Sequence, residues 1–297
     1  MAAATAAAGL MCAAATKAPQ DPFAMPKVTN AKVPGGVSMD PYVGAVSVDA
    51  GTGAILSADN PDRPGYPAST TKLMTLLLVL EDLQAKRYAL DSRAVASKRA
   101  ARQVASHIPL KEGQSMSVDD LLMALMVKSA NDAAIVLAEN SAGSVEAFVE
   151  RMNERAAQLG MSRTRFCTPN GLSPTKADPH GFDVSTAHDL ARLACAVVKH
   201  PEAFRYTSKA ICTITNGAGE QTTFRTHNPF LYDKSLKVRG LDGLKTGYTD
   251  KGGSSIVLTA MRGERRVVTV ILGSMDKKTR ERRAHEMITD AAASVSL

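Results

Sequence analysis

The sequence predicts an α/β or α+β domain with a helical segment inserted between strands. Strand-like patterns occur near residue 42 and again after residue 240, whereas helical periodicity fills the middle of the 297-residue chain. Strands and helices segregated in this way pack as layers around one core. A chain of this length can bury such a core without disulfide or metal staples.

The first strands precede a buried helix. Residues 42–48 alternate and are rich in valine, and a glycine-containing turn leads to a returning strand over residues 54–57. From Thr70 the pattern changes, because residues 73–80 are apolar at all but one position and on every side of a helix. A helix of that kind lies in the centre of a domain.

The middle of the chain predicts helices and one long loop. Apolar residues recur at helical spacing, and the loop is rich in proline and glycine. A serine is expected to cap the last of these helices. The predicted segments are helices at 118–127, 131–139 and 145–159, a loop at 166–182, and a helix from Ser185 to about Lys199.

The last part of the chain returns to strands and ends with a helix. Residues 241–247, 254–261 and 266–272 are predicted strands, and residues 277–293 a helix. We therefore expect an Ala/Pro-rich tail or signal remnant at residues 1–39 and one domain at residues 40–297. The helical insertion is expected at roughly residues 85–185 of that domain.

The N-terminal segment allows two interpretations. Residues 1–18 are mostly alanine, and several prolines follow. Ala13 to Ala15 fits a small-residue cleavage site of an export signal, but a plain tail fits the composition equally well. No run of about 18 apolar residues occurs, so we expect no membrane-spanning helix and at most peripheral membrane contact.

Composition argues against several function classes. The net charge is +7, but acidic residues interrupt the densest basic stretch, at residues 262–283, which favours a solvated surface over a nucleic-acid site. The 4 cysteines form no C-x-x-C pair, and the 6 histidines form no H-E-x-x-H motif. The glycine pairs complete no nucleotide-binding loop. We therefore expect no metal, no cofactor and no nucleic-acid partner.

Three short motifs carry the candidate chemistry. They are Ser69-Thr70-Thr71-Lys72, Ser129-Ala130-Asn131 and Lys245-Thr246-Gly247. The S-x-x-K pattern occurs three times, beginning at Ser69, Ser173 and Ser274. Only Ser69 opens a long apolar helix and precedes both other motifs. Order and context together select Ser69 as the candidate nucleophile.

The spacing fits nucleophilic catalysis. Serine needs a neighbouring base to take its proton, and residues three apart on a helix share a face, so Lys72 can reach Ser69. Burial and a second cation, such as Lys245, both favour the neutral amine that a base requires. The helix N-terminus favours an anionic oxygen at Ser69, whose backbone N–H is a candidate oxyanion donor.

These segments resemble a known family. Residues 67–75, 129–134 and 242–249 are similar to the three motifs of the low-molecular-mass penicillin-binding proteins, the D-alanyl-D-alanine carboxypeptidases of serine peptidase family S11. Ala130 stands where the S-D-N motif has aspartate. The similarity extends from about Asp40 to the C-terminus. It implies a β-lactamase/D,D-peptidase-like fold, an antiparallel sheet flanked by helices with a helical subdomain.

The resemblance also implies roles for individual residues. In catalysis, Ser69 forms the acyl-enzyme, Lys72 is the general base and Ser129 relays a proton to the leaving D-alanine. In substrate binding, the implied residues are Asn131 for the substrate amide, Lys245, Thr246 and Arg266 for the terminal carboxylate, and Gly247 and Tyr248 at the strand end, where the Tyr248 N–H is the second oxyanion donor.

The implied function is a serine-type D-Ala-D-Ala carboxypeptidase that acts on peptidoglycan stem peptides outside the cytoplasmic membrane, in the periplasm, and is inhibited by β-lactams. We expect no C-terminal β domain after the last helix, and this expectation keeps a D,D-endopeptidase that cuts cross-links as an alternative. A class A-like β-lactamase is disfavoured because residues 166–185 contain no glutamate. A non-catalytic penicillin-recognising protein is disfavoured because it needs no nucleophile.

Overall fold

The computed structural model describes residues 41–175, 179–215 and 219–295. The predicted tail at residues 1–39 therefore lies outside the described residues. The strands are β1 (Gly44–Asp49), β2 (Ile55–Asp59), β3 (Arg93–Val95), β4 (Ser115–Ser117), β5 (Ile211–Thr215), β6 (Gln221–Arg225), β7 (Leu241–Thr249), β8 (Gly253–Arg262) and β9 (Arg265–Ser274). The helices are α1 (Lys72–Gln84), α2 (Lys98–Ala101), α3 (Val118–Met123), α4 (Asn131–Ala142), α5 (Val145–Gln158), α6 (Ala187–Val197), α7 (Phe204–Thr207) and α8 (Lys277–Ser294).

The main sheet has the order β2-β1-β9-β8-β7 and is antiparallel throughout. Its centre joins the two ends of the chain, because β1 pairs with β9, with Val46 opposite Val270. Strand β7 lies at one edge of the sheet in the described part of the chain. The α+β class and the antiparallel sheet flanked by helices are thus confirmed.

Both faces of the sheet are covered, which produces three layers. On β1, Val46 and Val48 belong to the core that includes α1, α4 and α6. Ala45 points to the other face of the sheet, which α8 covers. Strand residues such as Ile271 pack on α8 through Ile288. Because successive strand residues point to opposite faces, a strand covered on both sides reads as a continuous apolar run. Burying each of these side chains contributes about 1.5–3 kcal/mol.

Helix α1 lies in the centre of the fold, as its pattern predicts. Leu73, Met74, Leu76 and Leu77 are all inaccessible to solvent, and the helix packs against α4, α5 and α6. A 3-10 turn at Ala68–Thr71 leads directly into it. The first motif is therefore anchored on a rigid, fully packed element.

The helical segment contains α2 to α5 and the short β3–β4 pair, and its last turn before Ser129 is a π-helical turn at Ala124–Lys128. A second small sheet, β5–β6, was not predicted from the sequence. The cap of α6 is corrected by one residue. The Thr186 hydroxyl accepts the N–H of Asp189, whereas the Ser185 hydroxyl bonds Thr164.

Helices in the described ranges are all too short or too polar to cross a membrane. The described cysteines, Cys167, Cys195 and Cys212, are unpaired. Of the described residues, no group of three His, Cys, Asp or Glu side chains is placed to hold a metal ion.

Candidate active site

All three motifs meet at one cleft between the edge strand β7 and the helical segment. The cleft encloses about 440 Å³, a volume typical of small-molecule sites. Six predicted site residues line it: Ser69, Ser129, Asn131, Thr246, Gly247 and Tyr248. Lys72 and Lys245 lie beneath its floor, because both are buried and both bond to residues that line it.

Ser69 lies in the 3-10 turn, one turn ahead of Lys72. The Lys72 Nζ is 3.1 Å from the Ser69 Oγ, as the i,i+3 spacing predicts. Burial first, and then the charge of Lys245, hold the pKa of Lys72 well below its usual range. The lowered pKa favours the neutral amine of Lys72, which is the form that can accept a proton from Ser69.

The other contacts of Lys72 fit a neutral amine. Its Nζ lies 2.7 Å from the Asn131 Oδ1 and 2.6 Å from the backbone oxygen of Asn170. A neutral amine has two N–H groups, which these two oxygens accept. Its lone pair is then left for the hydroxyl proton of Ser69, which is the geometry that a general base requires.

The second motif is positioned by an irregular helix end. After the π-helical turn, Ser129 takes a left-handed conformation with φ of 62°, and α4 begins at Asn131. The backbone N–H of Asn131 bonds the oxygen of Ser106, and its Nδ2 bonds the oxygen of Val104. One N–H of the Asn131 amide remains for a ligand, in addition to the oxygen that holds Lys72.

Lys245 forms a second serine–lysine pair. Its Nζ lies 3.0 Å from the Ser129 Oγ and 3.0 Å from the backbone oxygen of Thr246. Burial, followed by the charge of Arg280, lowers the pKa of Lys245 to about 7. The site thus contains two buried lysines, each bonded to a different serine.

Strand β7 passes very close to the nucleophile at Gly247. A Cβ placed there would lie 2.8 Å from the Pro67 oxygen and 3.1 Å from the Ser69 nitrogen. Only glycine permits this close approach of β7 to the turn that carries Ser69. The Tyr248 side chain itself is exposed and bonds Asp250.

The structure does not bring Arg266 to this cleft, which corrects the expectation from the sequence. Arg266 makes a bidentate ion pair with Asp242, at 2.7 and 2.9 Å, and covers the Phe204 ring. It pairs with Met261 of β8, whereas Gly247 pairs with Ser255, six residues away. At about 3.4 Å per residue, Met261 and Ser255 are about 20 Å apart along β8, and their partners Arg266 and Gly247 are separated by a similar distance.

Arg280, on the first turn of α8, occupies the cleft instead. It is 3% exposed, its Nη2 bonds Glu281 at 2.8 Å, and its Nε has no hydrogen-bond partner among the described residues. A buried guanidinium with a free donor is a site for a carboxylate. A signal was available in the sequence, because α8 starts directly after β9 and so returns its first turn to this end of the sheet.

The antiparallel sheet, its flanking helices and the two serine–lysine contacts agree with the penicillin-binding protein fold that the sequence motifs implied. Comparison with known proteins places the chain more narrowly. The family model for D-alanyl-D-alanine carboxypeptidases (Peptidase_S11) matches residues 42–276. The chain belongs to this family.

Individual relatives agree with this assignment. The chain is 36% identical over 250 residues to D-alanyl-D-alanine carboxypeptidase DacD of Escherichia coli, a match that covers 82% of this chain and 61% of the relative. It is 31% identical over 247 residues to DacF of Bacillus subtilis, covering 82% and 60%. The chain therefore spans about three fifths of the length of these curated relatives.

A solved structure covers the fold almost completely. Penicillin-binding protein D2 of Listeria monocytogenes, in its ampicillin-bound form, superposes with a TM-score of 0.71 at 31% identity. The match covers 85% of this chain and 98% of that chain.

Proposed function

We propose that this chain is a serine-type D-Ala-D-Ala carboxypeptidase that acts on peptidoglycan stem peptides through a Ser69 acyl-enzyme. Family membership supports the reaction type, and the ampicillin-bound relative supports inhibition by β-lactams. Because peptidoglycan lies outside the cytoplasmic membrane, we place the protein there.

The contact between Ser69 and Lys72 carries the proposal. A neutral Lys72 takes the hydroxyl proton while the Ser69 Oγ attacks the carbonyl between the two D-alanines. The oxygen of the tetrahedral intermediate lies between the backbone N–H groups of Ser69 and Tyr248, which stabilise its charge.

Cations in the cleft select a peptide that ends in a carboxylate. Lys245, the Thr246 hydroxyl and Arg280 bind the terminal carboxylate of the leaving D-alanine. When the C–N bond breaks, Ser129, 3.0 Å from the Lys245 Nζ, gives its hydroxyl proton to the leaving amine. The proton that Lys72 took from Ser69 then replaces it, which returns both Ser129 and Lys72 to their starting forms. Water then attacks the ester, and Lys72 serves as base for the second time.

The loop at residues 166–185 supports slow release of β-lactams. Its described carboxylate, Asp183, is buried and accepts N–H groups of Cys167 and Thr168 at 2.6 and 3.0 Å and the Thr168 hydroxyl at 2.7 Å. Both carboxylate oxygens of Asp183 are thus engaged by groups of the protein, including the Thr71 hydroxyl at 3.4 Å, and are not free to activate a water. A rapid β-lactamase needs a carboxylate that activates the deacylating water.

Intact mass spectrometry with benzylpenicillin tests the proposal. We expect a persistent adduct on Ser69, together with release of D-alanine from a D-Ala-D-Ala peptide. Rapid consumption of the antibiotic without an adduct would instead identify a β-lactamase. Neither adduct nor consumption would refute Ser69 as the nucleophile.

A further inference from the structure

The cleft contains more cationic side chains than the binding of one carboxylate requires. In the proposed reaction, the acyl carbonyl is bound at the Tyr248 N–H and the terminal carboxylate at Thr246 and Arg280. Besides Thr246 and Arg280, the polar residues that line the cleft include His227, Tyr232, Lys277 and Glu281. A released D-alanine has only a methyl side chain, which offers these residues no second charged group.

Lys277 is the cation in this region that has no protein partner. It lines the cleft and is exposed, and no ion pair or hydrogen bond joins it to another described residue. The neighbouring carboxylates are already engaged, since Glu281 pairs with Arg280 and Asp276 accepts the N–H and hydroxyl of Thr279. The Lys277 charge is thus available to a ligand.

Lys277 lies at a defined distance from the carboxylate anchor. It precedes Arg280 by three residues on α8, so both side chains share one face with their Cβ atoms about 5–6 Å apart. A side chain of three or four carbons on the released residue spans this gap. A carboxylate at the end of that side chain would then reach the Lys277 ammonium, while the α-carboxylate of the same residue stays on Arg280.

His227 and Tyr232 complete this end of the cleft with uncharged polar groups. Desolvation, followed by the charges of Lys245 and Lys128, lowers the pKa of His227 to about 4, so the imidazole is neutral at physiological pH. No hydrogen bond joins the His227 ring to another described residue. A neutral imidazole can donate to a carboxylate without repelling the cations around it.

We propose that Lys277, with His227 and Tyr232, forms a second anionic subsite that takes a side-chain carboxylate of the residue released by cleavage. The substrate class is a D-Ala-D-X peptide in which X is a dicarboxylic amino acid. The inference rests on the proposed peptidase activity and adds a specificity to it.

Three synthetic peptides of the form diacetyl-L-Lys-D-Ala-D-X test the subsite. X is D-alanine, D-α-aminoadipate or D-norleucine, the last being an uncharged residue of similar length. We expect wild type to hydrolyse the aminoadipate peptide with a kcat/KM at least about fivefold above that of the norleucine peptide, the ratio that ~1 kcal/mol gives at 25 °C. The Lys277→Gln variant should bring this ratio close to one.

A matched control is available in the adjacent lysine. Lys278 is also exposed on α8, but it lines a separate surface groove. Lys278→Gln should keep the wild-type ratio. The subsite is overturned if the kcat/KM ratio of the aminoadipate to the norleucine peptide is near one in wild type, or if Lys277→Gln leaves that ratio unchanged. In either case, hydrolysis of the D-Ala-D-Ala peptide would still support the peptidase activity. If the wild-type protein hydrolyses none of the three peptides, the peptidase proposal itself is overturned.

Discussion

The charge of Lys245 lowers the pKa of Lys72, although each lysine bonds a different serine. In the proposed reaction Lys245 thus has two effects, because it binds the substrate carboxylate and its charge also favours the neutral, basic form of Lys72. Burial acts in the same direction on both amines. This coupling makes the protonation state of Lys72 sensitive to a substitution on a different element of the fold.

Lys245→Gln should shift the pH dependence of acylation. Below its pKa, Lys72 is protonated and cannot take the Ser69 proton, so the acylation rate falls as pH decreases through that pKa. Removing the nearby charge favours protonated Lys72, which raises its pKa and moves this acid limb to higher pH. The measurement is the second-order rate of benzylpenicillin acylation against pH.

The position of the limb is the relevant readout, because the loss of carboxylate binding lowers the rate at every pH. The exposed Lys278→Gln variant should keep the wild-type limb. An acid limb that stays in place in Lys245→Gln would contradict the coupling between the two lysines.

Ser69→Ala should abolish the penicillin adduct and the hydrolysis of D-Ala-D-Ala peptides. The residue is only half-buried, and alanine fits its backbone conformation, so the melting temperature should change little. Ser173→Ala, at the second S-x-x-K pattern, is the matched control and should retain the adduct. An adduct on Ser69→Ala protein would show that another residue is the nucleophile.

Much of this site could be predicted because its signals are local. The i,i+3 spacing of Ser69 and Lys72 and the apolar run of α1 both act within one helix. The sheet order could not be predicted, because pairing Val46 with Val270 joins segments that are more than 200 residues apart. Periodicity shows that a strand exists and does not identify its partner.

The same limit explains why the sequence analysis assigned the carboxylate-binding role to Arg266, whereas the structure places Arg280 in the cleft. Both arginines lie near the end of the chain, and a sequence does not reveal which end of a strand faces a cleft. Once β9 is paired with β8, Arg266 is fixed at the far end beside Asp242, and the first turn of α8 delivers Arg280 to the site.

Arg280→Gln and Arg266→Gln should therefore have different effects. Loss of the charged hydrogen bonds of Arg280 to the substrate carboxylate should lower kcat/KM for D-Ala-D-Ala peptides by about ten- to a hundredfold, as hydrogen bonds to charged groups contribute ~1.5–3 kcal/mol. Arg266→Gln should leave kcat/KM within about twofold and lower the melting temperature, because Asp242 loses its partner. Peptide kinetics and thermal unfolding on both variants check this, and equal kinetic defects would contradict the assignment.

Gly247→Ala should impair acylation although it adds only one methyl group. That group would lie 2.8 Å from the Pro67 oxygen, which is backbone and cannot rotate away, so β7 must move from Ser69. A displacement of about 1 Å in an active site can cost about a hundredfold in rate. The measurement is the rate of benzylpenicillin acylation at saturating antibiotic.

Gly51→Ala, in the exposed turn after β1, is the control, because its nearest neighbour would be the Asp49 side chain at 3.3 Å. Wild-type acylation by Gly247→Ala would mean that the close approach of β7 to Ser69 is not needed for the reaction.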